Sequence, residues 1–139
     1  MCTKNPGKVA ILVLASVLYV AGSGPVEAQT AAMPAGVEVR KLENGVAVLA
    51  DAKGMTLYTF AKDMAGMSHC AGPCAQNWPP LAAAADAKPT GEWTIVARED
   101  GTKQWAYKGM PLYTWIKDAK PGDATGEGMA MGAWRVAVP

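Results

Sequence analysis

The chain has 139 residues, five Trp, four Tyr and a formal net charge of +1 at pH 7. That length holds one domain with a modest core. A near-neutral chain without a basic stripe lacks the electrostatic footprint of nucleic-acid or anionic-lipid binding, so neither is expected as a partner.

Lys4 and Lys8 form a basic head, and Val9 to Val20 is an apolar run without a charge. Gly22, Gly24 and Pro25 break the run, and Val26-Glu27-Ala28 offers small residues at the positions a signal peptidase reads. Residues 1–28 therefore read as a signal peptide cleaved after Ala28. The run falls well short of the ~20 residues a bilayer span needs. Cys2 precedes it, so it is not the lipid-modified cysteine of a lipoprotein. A soluble periplasmic or secreted protein without a membrane anchor is expected, and cleavage leaves acidic and basic side chains in balance.

Residues 29–35 read as a flexible leader, followed by a single β domain over 36–139. Val37 to Leu42 alternates apolar and charged residues in the period of a half-buried strand. Asn44-Gly45 is a strong hairpin signal, because both residues tolerate positive φ. Val46 to Ala50 is the second strand and, after Lys53-Gly54, Thr56 to Phe60 is the third. The same grammar returns in Trp93 to Arg98, the turn Glu99-Asp100-Gly101, Lys103 to Tyr107, the turn Lys108-Gly109, and Pro111 to Trp115. The expected fold is all-β and mainly antiparallel: two three-stranded meanders, about 37–63 and 93–118, superposable over Val37–Phe60 and Trp93–Trp115. The closing strand Trp134 to Val138 has no evident counterpart in the first half. The insert 64–92 is loop-rich; GPCAQNW suits one helical turn with Pro73 at its first position, and Pro79-Pro80 forbids continuation. The residues after Asp118, rich in Gly, read as a loop.

Each third strand carries LYTFAKD or LYTWIKD. On a strand, Tyr58 and Phe60 project to one face and Leu57 and Thr59 to the other, and Tyr113 and Trp115 repeat that choice against Leu112 and Thr114. Such strands suit cover on both sides. Asp63 and Asp118 fall just past them, where a carboxylate accepts backbone N–H groups and starts a turn.

LYTFAKD, then CAGPCAQNWPPL, then DGTKQWAYKGMPLYTWIKDAKPGD resembles a family of bacterial secreted proteins and predicted lipoproteins marked by a repeated Tyr-x-aromatic-x-x-Asp motif. Tyr58, Phe60 and Asp63 match one copy; Tyr113, Trp115 and Asp118 match the other. The resemblance runs from about Val46 to Val138. It implies an extracytoplasmic repeat domain of unassigned function and brings no catalytic residues with it. The chain departs from many members in lacking a lipobox cysteine, and Met67 and His69 stand where other polar residues are usual.

Cys70 and Cys74, the pair left after cleavage, read as one disulfide in an oxidising compartment. The bridge closes a short loop outside both meanders, so its loss is expected to cost about 2 kcal/mol at most. The competing reading is a copper site. Met64, Met67, His69, Cys70 and Cys74 offer the soft ligands copper(I) prefers, with Met129 and Met131 in reach from the second loop. It would make the protein a copper-binding or thiol-redox protein, but an oxidised pair supplies no thiolates. Asp118, Asp123 and Glu127 lack the spacing of a calcium loop. No nucleophile, base and orienting acid are brought together by any motif, since His69 is the only histidine and only its neighbour Ser68 could serve it. The expectation is a non-enzymatic envelope module, binding or structural, with no cofactor and with an unidentified envelope component or small ligand as partner.

Overall fold

A computed structural model describes residues 32–139; the expected signal peptide and the first residues of the leader lie outside them. Residues 32–139 are antiparallel β throughout, with two helical turns. The strands are β1 (Val37–Lys41), β2 (Ala47–Asp51), β3 (Tyr58–Phe60), β4 (Trp93–Ala97), β5 (Lys103–Tyr107), β6 (Met110–Pro111) and β7 (Trp134–Val136). The turns are α1 (Pro73–Asn77) and α2 (Met129–Gly132). α1 opens on Pro73 and ends at Trp78, before the two prolines. α2 is barely a helix: Ala130 and Met131 are both left-handed, as the loop reading of this stretch implies.

β1 and β2 form a hairpin with Val37 opposite Asp51, and β4 and β5 form another with Trp93 opposite Tyr107. Gly45 and Gly101, each at φ 83°, make the equivalent turns. The third strands are shorter than their sequences suggest. Thr56 bridges Ala50, after which the chain leaves β2 to pair with β7, Tyr58 opposite Val136. In the second half β6 ends at Pro111, and Tyr113 makes isolated bridges to Tyr58 and Pro80.

What holds the halves together is a strand exchange. Leu57 N–H donates to the Leu49 carbonyl, Leu49 to Ala137, and Ala137 to Leu57, a closed ring at 2.8–2.9 Å. The second half has the same ring, with Leu112 donating to Trp105, Trp105 to Leu81 and Leu81 to Leu112 at 2.8–3.0 Å. Leu81 therefore answers to Ala137, and Trp78-Pro79-Pro80-Leu81 is the counterpart that the closing strand lacked in the sequence. Each Trp-led segment completes the other repeat's motif strand. Tyr58 and Tyr113 exchange backbone hydrogen bonds of 2.8 and 3.0 Å where the two halves meet. The repeat unit thus reaches past Asp63 into the stretch read as insert, with Trp78 in the aromatic core and Leu81 half-buried against the second cluster.

Period two then sorts the side chains into two cores. Tyr58, Phe60, Tyr113 and Trp115 pack with Cys70, Trp78 and Trp134. Leu57 and Leu112 point the other way, into a cluster with Leu49, Trp93, Trp105 and Ala137. The aromatic core is a four-ring stack. Trp78 and Trp134 lie face to face at its centre, 3.7 Å between centroids and 3° from parallel. Trp115 stacks on Trp78 at 4.1 Å and Phe60 on Trp134 at 4.3 Å. Tyr58 meets Trp78 edge-on and Tyr113 meets Trp134 edge-on, the arrangement ring quadrupoles favour. Among the described residues no helix is long and apolar enough to cross a membrane.

Candidate functional site

The motif residues are joined across the repeats. Tyr113 Oη donates to Asp63 Oδ2 at 2.6 Å, and Tyr58 Oη donates to Asp118 Oδ2 at 2.7 Å. Each Asp follows a tight turn in which its own N–H bonds the carbonyl of Phe60 or Trp115. The free oxygen of each closes the next loop: Asp63 Oδ1 accepts the His69 N–H at 2.6 Å, and Asp118 Oδ1 accepts the Thr125 N–H at 2.9 Å and its hydroxyl at 2.6 Å. The expected turn-forming role is present. The cross-repeat bond from tyrosine is what sequence periodicity did not reveal. Burial, then the adjoining carboxylate, pushes the Tyr113 hydroxyl up to about 12, and the same causes raise Tyr58 further. Burial also holds the Asp63 carboxyl above its ordinary range, against the hydrogen bonds that favour its charge.

The loop after each Asp crosses to the other repeat and roofs a cleft against its first hairpin. Residues 66–72 face Ala97–Asp100 across a cleft of ≈ 810 Å³. Residues 120–125 face Arg40, Lys41 and Glu43 across one of ≈ 470 Å³. Both loops turn on a glycine with positive φ, Gly66 or Gly122. Both rest on the glycine turn of the opposite repeat: Ala65 lies against Gly109, and Pro121 against Gly54. By the same correspondence Ser68 matches Ala124, His69 matches Thr125 and Cys70 matches Gly126.

Below the larger cleft the correspondence breaks chemically. Arg98 Nη1 donates to Gln104 Oε1 at 2.7 Å and to Ser68 Oγ at 3.0 Å, and its Nη2 donates to the Cys70 carbonyl at 2.7 Å. Gln104, fully buried, donates to the Leu112 carbonyl at 2.7 Å. Ser68 lies 2.6 Å from Tyr113 Oη, whose proton is committed to Asp63, so Ser68 is the donor. A polar chain thus runs from Arg98 through Ser68 and Tyr113 to Asp63. At the smaller cleft the positions of Arg98, Gln104 and Ser68 are held by Leu42, Val48 and Ala124. The fold is satisfied by an apolar trio there. Arg98 Nε is the buried side-chain atom without a partner among the described residues.

The other expected site residues separate. Cys70 and Cys74 are bonded to each other, with Cα atoms 5.2 Å apart, so neither supplies a thiolate. Far from lying outside the core, Cys70 is fully buried against the aromatic stack. Among the described residues no group of three His, Cys, Asp or Glu side chains is placed to hold a metal. The five-ligand copper site is therefore reduced to Met64, Met67 and His69, all exposed, while Met129 and Met131 sit in the turn before β7. Asp118, Asp123 and Glu127 do not converge. Asp123 caps the N–H groups of Ala119 and Lys120, and Glu127 binds Arg135 and the Val136 N–H. Ser68 turns inward and His69 outward, so they form no nucleophile–base pair. The sequence reading missed Arg98 and Gln104. The signal was available in the comparison of halves, where a charge and an amide face Leu42 and Val48.

Comparison with known proteins agrees with the two halves. The sequence model of a family described as a secreted repeat of unknown function matches residues 44–82 and again 94–138. Each match ends just past the Trp-led segment, so in this chain the matched units contain the exchanging segments. No curated protein matches the chain, and no solved structure does.

Proposed function

The chain belongs to this family of secreted repeats, and we propose that it is an exported, non-enzymatic envelope module that binds its partner at the cleft between residues 66–72 and the β4–β5 turn. One observation carries the reading: the Arg98–Gln104–Ser68 network lies under this cleft and is replaced by Leu42, Val48 and Ala124 at the other cleft. A buried polar network with one orphaned nitrogen is not the cheaper way to build this fold. It fixes the shape and charge of the loop above it. The nearby groups do not suit catalysis: the Tyr113 hydroxyl is protonated and committed to Asp63, and the cysteines are bonded. The secreted-repeat family, the expected signal peptide over residues 1–28 and a disulfide that persists in an oxidising compartment support a periplasmic or secreted location.

The test transplants the smaller cleft's trio into the larger cleft as Arg98→Leu, Gln104→Val and Ser68→Ala. Full-length protein expressed with its own leader is expected outside the cytoplasm with an N-terminus at or near Gln29. The wild type should co-sediment with isolated envelope fractions, and the triple variant should fold but lose at least tenfold of that binding. Equal binding by the triple variant, or a cytoplasmic chain retaining Val9 to Val20, overturns the reading.

A further inference from the structure

We propose that Met64, Met67 and His69 form a binding site for a soft monovalent cation, copper(I), that uses no thiolate. The argument starts from the hairpin. Met64 and Met67 exchange both backbone hydrogen bonds, 3.1 Å from the Met64 N–H and 2.9 Å from the Met67 N–H, around Ala65-Gly66. Residues paired in that way put their side chains on one face about 5.5 Å apart at Cα. Beyond Met67 the chain alternates: Ser68 points in to Tyr113, Cys70 is buried, and Met67 and His69 face solvent. His69 is exposed beside Met67, and both line the larger cleft. Two thioethers and an imidazole are thus exposed on and next to one fixed turn.

The other repeat shows that these side chains are not needed for the turn. At the matching loop Gly122 replaces Gly66 and Asp123 replaces Met67; the Asp123 carboxylate builds the turn by accepting the N–H groups of Ala119 and Lys120. In the first repeat the backbone pair does that work alone, and the methionine side chains are left with 60% and 54% of their surface exposed. Exposed paired methionines beside a lone histidine gain nothing from burial. Thioether and imidazole donors favour copper(I) and the related silver(I), whereas zinc, calcium and copper(II) need more nitrogen or oxygen ligands. Asp63 does not compete from below, because both its oxygens already accept hydrogen bonds. Met67 and His69 also line the larger cleft, so a bound cation would sit at its rim.

The experiment uses the purified chain from Gln29 to Pro139 with its disulfide intact. Copper(I) is offered as a coloured bis-chelate under anaerobic ascorbate, and silver(I) is titrated separately while Met methyl groups are observed by NMR. One equivalent of copper(I) should leave the chelator. Silver(I) should shift the methyl signals of Met64 and Met67 and leave those of Met129 and Met131 in place. Met64→Leu with Met67→Leu, and His69→Gln alone, should each weaken binding at least tenfold without changing the far-UV spectrum. Met129→Leu with Met131→Leu should bind as the wild type does. No transfer from the chelator, transfer indifferent to Met64 and Met67, or binding that appears only after reduction of the cysteines would overturn the site. Cation binding by the purified chain is independent of export and of envelope attachment, so failure here leaves the proposed function standing, and the reverse.

Discussion

Replacing Tyr113 by Phe removes a buried hydroxyl and nothing of the ring. Asp63 then keeps the His69 N–H on Oδ1 but loses its only partner at Oδ2, while 8% exposed. Ser68 loses its acceptor at the same time. A hydrogen bond to a charged group contributes about 1.5–3 kcal/mol, and stranding a buried acceptor costs in the same range. A loss of about 2–3 kcal/mol is expected, or roughly 10–20 °C in Tm for a domain of this size. Urea unfolding followed by tryptophan fluorescence measures it, because the rings stack on Trp78 and Trp134. The informative version is a double-mutant cycle. Tyr113→Phe and Asp63→Asn should couple by about 1–2 kcal/mol, as contacting residues do. Tyr113→Phe and Asp118→Asn, which belong to the same repeat, should add within about 0.5 kcal/mol. Coupling of Tyr113 to Asp118 instead would refute the crossed pairing and with it the strand-exchanged fold.

Two further outcomes follow from burial. The Tyr113 and Tyr58 hydroxyls are both raised above the ordinary value of 10.0, Tyr113 to about 12, so the native state keeps protons that the unfolded chain releases. Stability is then fully present below pH 10 and falls as pH rises through 12, by on the order of 2 kcal/mol for Tyr113; with the half-exposed Tyr107 replaced by Phe, phenolate absorbance rising before unfolding in an alkaline titration of the mature chain would contradict it. Replacing Cys70 and Cys74 by Ser should cost about 3–5 kcal/mol in a denaturant melt, more than the about 2 kcal/mol of loop closure, because a hydroxyl enters the fully buried Cys70 position; a cost at or below 2 kcal/mol would mean that Cys70 is not part of the core.

The parts of the fold visible in the sequence were those with a local cause. Alternation in LYTF and LYTW assigned Tyr and aromatic to one core and Leu to the other, because strand side chains have no choice but to alternate. Asn44-Gly45 and Asp100-Gly101 marked the hairpins, and Pro73 the helical turn. The exchange of segments had no local signature. Trp78-Pro79-Pro80-Leu81 does not read as a strand, since proline lacks the N–H a strand donates. Here that costs nothing: Pro79 serves through its carbonyl, accepting the Thr114 N–H at 2.9 Å, and the donors that matter belong to Leu81 and its partners. A Trp three residues ahead of a ring-forming residue recurs as Trp78 before Leu81 and Trp134 before Ala137, but only the pairing makes the recurrence meaningful.

A twofold fold within one chain separates structure from function without a second sequence. Positions related by the exchange face the same packing demand, so residues that agree in both halves are accounted for by that demand. Tyr58 and Tyr113, Asp63 and Asp118, Trp78 and Trp134 agree, and each contributes to one crossed hydrogen bond or one stack. The recurrent motif is therefore structural, although it is the feature by which the repeats are seen. Residues that differ are those the fold tolerates either way. Gly126 and Cys70 differ for a reason within the fold: a Cβ on Gly126 would lie 2.6 Å from the Trp78 ring, whereas the Cys70 position has room for a side chain and uses it for the disulfide. Asp123 and Thr125 also serve their own turn, which Met67 and His69 do not, whereas Arg98 against Leu42, Gln104 against Val48 and Ser68 against Ala124 have no such reason. Arg98, Ser68, Met67 and His69 line or underlie one cleft, and the proposed binding there rests on that clustering.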